Sequence, residues 1–210
     1  MNNKAVQQLS VRSVTADMPE KIISPILLAA GQSRRFGSDK LLHNMPIHDN
    51  NKPMILHTLK PWLEVFKQIN VVVRADNIAL IQLLKNGEFA SRLTLITASD
   101  AAHGMSASLV SGVAANIEAD GWLIGLADMP FIQPSVISDS LEALKKGAEI
   151  TLPIFNGKRG HPVGFSSRFK SQLLSLNGDK GAKEIIVSSP EKTTFIKSLD
   201  DGILQDIDTP

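Results

Sequence analysis

The chain has 210 residues, enough for one domain with a substantial core, and 43% of them are hydrophobic, as in an ordinary globular protein. Its 22 basic and 21 acidic side chains leave a formal charge of +1, which offers no field to attract nucleic acid or a membrane surface. Cysteine is absent, which excludes disulfides, thiolate metal sites, iron–sulfur clusters and cysteine nucleophiles.

The opening segment MNNKAVQQLSVRSVTADMPEK is polar and lacks the apolar core of a signal peptide, so residues 1–21 read as an N-terminal extension and 22–210 as the domain. No apolar stretch approaches the length that crosses a bilayer. A cytoplasmic protein is the expectation. Ile22–Ala30 is a short uncharged run ending at Gly31, the pattern of a strand buried on both faces. A helix follows over Met54–Phe66, a β-branched strand over Ile69–Val73, a helix over Ile78–Leu84 ending near Gly87, and a strand over Leu93–Thr97. Next come an amphipathic helix over Ser106–Ile117, capped by Ser106 or Ser108, and a buried strand over Trp122–Ala127. A helix over Ser135–Lys146 and a strand over Glu149–Ile154 complete the run. Strands alternating with helices predict a single three-layer α/β/α domain on a mostly parallel sheet.

Ligands of such sheets lie beyond the carboxyl ends of the strands. The unusual glycine and polar residues fall there: Gly31–Lys40 after the first strand, Asp100–Ser108 after the third, and Asp128 after the fourth. In the first of these loops Gly31 and Gly37 let backbone N–H groups approach a ligand, while Arg34 or Arg35 and Lys40 supply charge suited to a polyphosphate. It is not a Walker loop, since Gly37 is followed by Ser38-Asp39-Lys40, nor a dinucleotide loop, since Ser33 stands where a second glycine belongs.

LLAAGQSRRFGSDK (Leu27–Lys40) resembles the signature loop of the nucleotidyltransferases of sugar-nucleotide and molybdenum-cofactor synthesis. Four later segments add to the likeness in the expected order: GMSASLVSGV from Gly104, LADMPF from Leu126, RGHPVGF from Arg159 and GDKGAK from Gly178. DIDTP from Asp206 completes the set. The combination is most similar to the molybdenum cofactor cytidylyltransferases and related accessory proteins of molybdenum hydroxylases.

The resemblance implies a Rossmann-like nucleotidyltransferase fold that transfers CMP from CTP to the phosphate of molybdopterin and releases pyrophosphate. It assigns nucleotide contacts to Leu28, Ala29, Ala30, Gly31, Ser33, Arg34, Gly37, Lys40, Gly104 and Ser106. Lys40, Arg35 and Asp128 carry the catalytic roles, and Asp128 with Asp208 the metal, Mg²⁺ with Mn²⁺ as a substitute. Asp206 is the alternative second ligand, because alternation along a short strand puts it on the same face. His161, Asp179 and Lys183 are the acceptor-binding residues. CTP is favoured over GTP because guanylyl relatives usually carry glycine where Ala30 stands. The implied partners are CTP, molybdopterin and, transiently, an apo-molybdoenzyme, with neither nucleic acid nor membrane. A guanylyltransferase, a sugar-phosphate nucleotidyltransferase and a non-catalytic cofactor carrier are the competing readings.

Overall fold

The computed structural model describes residues 20–31, 36–47, 50–98, 104–178 and 181–208. Its centre is strand β1 (Ile23–Ala29), buried along almost its whole length because each face meets a helical layer. Parallel to β1 on one side lies β4 (Ile69–Arg74), followed outward by β5 (Leu93–Ala98). On its other side lies β6 (Gly121–Leu126), also parallel. Beyond β6 the direction reverses: β9 (Val163–Ser166) runs antiparallel between β6 and β7 (Ile150–Phe155), and β10 (Thr193–Lys197) adds parallel to β7. Among the described residues the sheet order is β10-β7-β9-β6-β1-β4-β5, with the two-residue β8 (Lys158–Arg159) paired to β7. A separate hairpin joins β2 (Asn44–Ile47) to β3 (Asn50–Pro53).

Helix α1 (Met54–Val65) packs with α4 (Pro134–Lys145) on one face. The other face carries α3 (Met105–Ala115) and α5 (Lys170–Leu174), while α2 (Ile78–Asn86) meets β5. Short α6 (Lys183–Ser188) contributes Ile185 to the core on the α3 side. The result is the three-layer α/β domain with a mostly parallel sheet that the alternation predicts. Two contacts hold α1 and α3 close to the central strands. Thr58 of α1 donates its hydroxyl to the Ala127 carbonyl at 2.8 Å, tying the helix to the exit of β6. A Cβ on Gly112 of α3 would lie 2.8 Å from Ile26 Cγ2, so only glycine lets that helix approach β1 so closely.

The five expected elements before α3 match within a few residues, whereas the start of α3 differs. Its cap is Gly104, at φ 100°, with no side-chain capping bond, and the helix ends at Ala115. Ser106 and Ser108, expected as caps, are both buried in the first turn. The hairpin and strands β8–β10 were not anticipated, because they are short or exposed and carry no apolar run.

Candidate active site

Register places the candidate site at the carboxyl ends of β1 and β6. Leu28 pairs with Leu126, and the Ala127 N–H bonds the Leu28 carbonyl at 3.0 Å. Ala30-Gly31 and Asp128 therefore leave the sheet side by side. After the loop, Asp39 accepts from the Leu41 N–H at 3.1 Å and starts the tight turn Lys40–Leu42. Leu41 is buried there, and that anchor fixes where the Lys40 side chain begins. Asp39 also accepts a bond from Asn77 at the start of α2, which braces the turn from the other side.

The C-terminal segment supplies the other carboxylate. The Ile207 N–H bonds the Asp128 carbonyl at 3.0 Å, which brings the following residue, Asp208, back over the strand ends. Lys40 Nζ then lies 2.6 Å from Asp128 Oδ2 and 2.8 Å from Asp208 Oδ1. Lys40 is only 8% exposed, a rare state for lysine unless it is paired. Burial by itself lowers the pKa of this ammonium; the bonds to Asp128 and Asp208 outweigh it and hold the pKa above the ordinary lysine value. The group is thus locked in its charged form. Asp206 is exposed and has no such bond to Lys40.

Both carboxylates are within reach of one cation, since a single ammonium touches them. The donor set fits a hard divalent ion: two carboxylate oxygens, with remaining positions left for phosphate and water. Among the described residues no group of three or more His, Cys, Asp or Glu side chains is disposed around a metal.

Beside these charges lies an apolar cavity of about 320 Å³. Leu28, Ile124, Leu126 and Phe165 form its strand-side floor, with Leu109 of α3 and Ile186 of α6 as walls. Its polar lining side chains are Arg159, His161 and Lys183. His161 and Lys183, expected on the acceptor side, therefore meet in one cavity. Its apolar walls were missed in the sequence; leucines at the paired ends of two strands, where polar residues usually begin, were the available signal.

The remaining expected residues are placed unevenly. Ala29 and Ala30 are buried, and Gly31 is exposed with its carbonyl accepting from Arg74 at 3.3 Å. Gly37 has φ 76° and needs glycine there. Ser106 is fully buried and donates its hydroxyl to the Asn177 carbonyl at 3.2 Å, while its N–H bonds the Gly178 carbonyl. Its hydroxyl thus joins α3 to the loop before α6. Ser33, Arg34, Arg35 and Asp179 lie outside the described residues.

A mostly parallel sheet whose central strand feeds a glycine-rich basic loop, with paired carboxylates at the strand ends, defines a nucleotide-handling α/β protein. Residues 25–193 match the family model described as the MobA-like NTP transferase domain, and the chain belongs to this nucleotidyltransferase family. It is 33% identical over 194 residues to the purine catabolism protein PucB of Bacillus subtilis, covering 88% of this chain and 91% of the relative. It is 28% identical over 150 residues to a probable molybdenum cofactor guanylyltransferase of Thermococcus gammatolerans, covering 70% and 71%. The crystal structure of Rv0371C of Mycobacterium tuberculosis in complex with manganese shares the fold, with a TM-score of 0.66, 21% identity and coverage of 84% and 88%. No helix among the described residues is long and apolar enough to cross a membrane.

Proposed function

We propose that this nucleotidyltransferase is a magnesium-dependent cytidylyltransferase that moves CMP from CTP to the phosphate of molybdopterin. The observation that carries the reading is the Lys40 ammonium held between Asp128 and Asp208 at the strand ends, next to an apolar cavity rimmed by Arg159 and Lys183. The carboxylates mark a cation position, the loop from Gly31 holds the nucleotide, and the cavity takes the acceptor. The bound cation would neutralise the phosphate groups as pyrophosphate departs. Lys40 reaches the polyphosphate only by leaving the carboxylates, which it thereby frees to hold the cation. Arg34 and Arg35 add charge from the same loop. Positioning and electrostatic stabilisation, with no covalent intermediate on the protein, account for the chemistry.

The relatives support the coarse reading, and the one whose name states a nucleotide names guanylyl transfer. The Thermococcus relative is named a guanylyltransferase, the Bacillus one for purine catabolism, and the manganese in the mycobacterial structure accords with a divalent ion here. Ala30 supports CTP. Guanylyl relatives usually carry glycine at its position, and its methyl is buried in the core on the α3 side. Pyrophosphate release measured with molybdopterin and each nucleotide tests the proposal. A higher kcat/KM for CTP is expected. A higher value for GTP would replace cytidylyl by guanylyl transfer, and no release with either would remove the acceptor assignment.

A further inference from the structure

The turn between β4 and α2 lies outside the strand-end site yet touches both ends of the loop that runs from Gly31 to Lys40. At one end Arg74, the last residue of β4, donates from Nη1 to the Gly31 carbonyl at 3.3 Å, while Asp76 accepts from its Nε at 2.9 Å. At the other end Asn77 donates from its side-chain amide nitrogen to Asp39 Oδ2. The same amide accepts the Leu80 N–H on Oδ1 at 3.2 Å, which caps α2. The two partners together fix the orientation of the amide. Turned over, it would set its oxygen against a carboxylate and its NH₂ against an N–H. Asn77 thus bridges the start of a helix and the residue next to Lys40.

The support on which Asn77 stands is firm. Helix α2 is anchored by Leu80 and Leu84, both buried in the core, and the turn before it is closed by the Asn77 N–H on the Arg74 carbonyl at 3.2 Å. Asp39 divides its carboxylate, taking the Leu41 N–H on Oδ1 and Asn77 on Oδ2. Both side chains are half-buried, so water competes weakly for the bond between them. A cap alone would be served as well by serine or aspartate. Neither supplies what Asp39 takes: serine ends where the asparagine amide carbon lies, and aspartate has no donor.

We propose that Asn77 is a positioning residue for Lys40: by holding Asp39 it fixes the turn from which the Lys40 side chain starts, and so where the ammonium stands relative to the strand ends. Its consequence for turnover rests on the nucleotidyl-transfer reading and deepens it. Lys40 carries its charge on a flexible four-carbon stem, so the place of the ammonium depends on where the stem begins and on what the charge touches. At rest Asp128 and Asp208 hold it. When it leaves them for phosphate, the turn is what still aims it. A stem that starts elsewhere loses alignment with the developing charge of the departing pyrophosphate, which matters more in the transition state than in nucleotide binding. Arg74 does the corresponding work at Gly31, so one rigid turn sets both ends of the loop.

The test uses the full chain with Asn77→Ser, with Asn77→Asp, and with Asn77→Asp combined with Asp39→Asn. Serine keeps the α2 cap and drops the bond to Asp39; aspartate keeps the cap and sets a second carboxylate against the first. The combined variant exchanges donor and acceptor, so the cap, the bridge, the bond to Leu41 and the net charge all remain. Acylation of Lys40 by acetic anhydride, without nucleotide, is read by mass spectrometry against Lys52 and Lys145, and pyrophosphate release gives the kinetics. The single variants are expected to acylate Lys40 roughly 3- to 10-fold faster with the reference lysines unchanged. Their kcat should fall roughly 10- to 100-fold while the nucleotide KM moves less than about threefold. The combined variant should recover most of both. Lys40 acylated at the wild-type rate in Asn77→Ser overturns the proposal, as does a combined variant no better than Asn77→Asp alone. A nucleotide KM that rises with kcat unchanged also overturns it. Faster acylation that the combined variant reverses, in a protein that releases no pyrophosphate from any nucleotide, would keep the placement of Lys40 and sink the catalytic reading, so the two fail separately.

Discussion

Replacing Lys40 by methionine keeps the side-chain length and removes the ammonium, leaving Asp128 and Asp208 to face each other without their shared counter-charge. Stripping one partner from a fully buried ion pair costs about 3–5 kcal/mol. Here the Lys40 side chain is 10% exposed, but the carboxylates are 20% and 46% exposed, so water recovers part of the loss and ~2–3 kcal/mol is the expectation. For a chain of this size that lowers Tm by roughly 5–10 °C. The raised pKa of Lys40 means its stabilisation is fully present below the unfolded lysine value and is lost only as pH rises through the higher folded value. The whole effect is therefore visible at neutral pH. Manganese should then restore the variant selectively. With the ammonium gone, the carboxylates receive the ion without first releasing a competitor, and saturation to ~100 times Kd returns about 2.7 kcal/mol. Thermal unfolding with and without manganese, in the absence of nucleotide, reads both effects. An equal manganese-induced rise in wild type and variant would refute the idea that Lys40 occupies the cation position. So would a variant as stable as the wild type without metal.

Asp128→Asn should give a folded protein that has lost most of its metal-dependent turnover, measured as pyrophosphate release; near-normal activity would remove Asp128 as a metal ligand. Ser106→Ala should cost about 1 kcal/mol, the usual worth of one hydrogen bond, read by denaturant unfolding. Because the Ser106 hydroxyl is bound to the Asn177 carbonyl, its loss should leave the nucleotide KM nearly unchanged, and a steep rise would restore this hydroxyl to nucleotide contact.

The central strands were legible because burial on both faces leaves a chemical trace: β1, β4 and β6 are continuous apolar or β-branched runs bounded by polar residues. Strand β10 leaves no such trace. It is an edge strand, and Phe195 is 48% exposed, so its residues answer to one neighbour and to water. Strand β8 is two residues long, too short for any period. At α3 the hydroxyls of Ser106 and Ser108 looked like caps by type. The actual cap is Gly104, whose φ of 100° is favourable to glycine, and Ser106 serves a carbonyl distant in sequence. Residue type alone cannot reveal such a partner. Asp206 and Asp208 are likewise indistinguishable by alternation. They are separated by the Ile207 N–H bond to the Asp128 carbonyl, which seats the segment so that Asp208 meets Lys40.

The distribution of charge within the site bears on how two anions come together there. Among the described residues Asp128, Asp208 and Lys40 sum to one negative charge at the strand ends, and on the proposed reading the cationic side chains of the loop from Gly31 make the approach of a triphosphate favourable. A divalent ion that arrives with the nucleotide would neutralise the two carboxylates as Lys40 leaves them for phosphate. The acceptor meets the opposite design. Its body enters a cavity walled by leucine, isoleucine and phenylalanine, and the cations near it, Arg159 and Lys183, stand among the lining side chains. An apolar wall holds a ring system without adding charge next to Asp128, and leaves the phosphate to be drawn by cations. Binding energy for the acceptor then comes mainly from a part of the molecule that does not react. Such energy can hold two mutually repelling phosphates in line, which is where orientation lowers the barrier most.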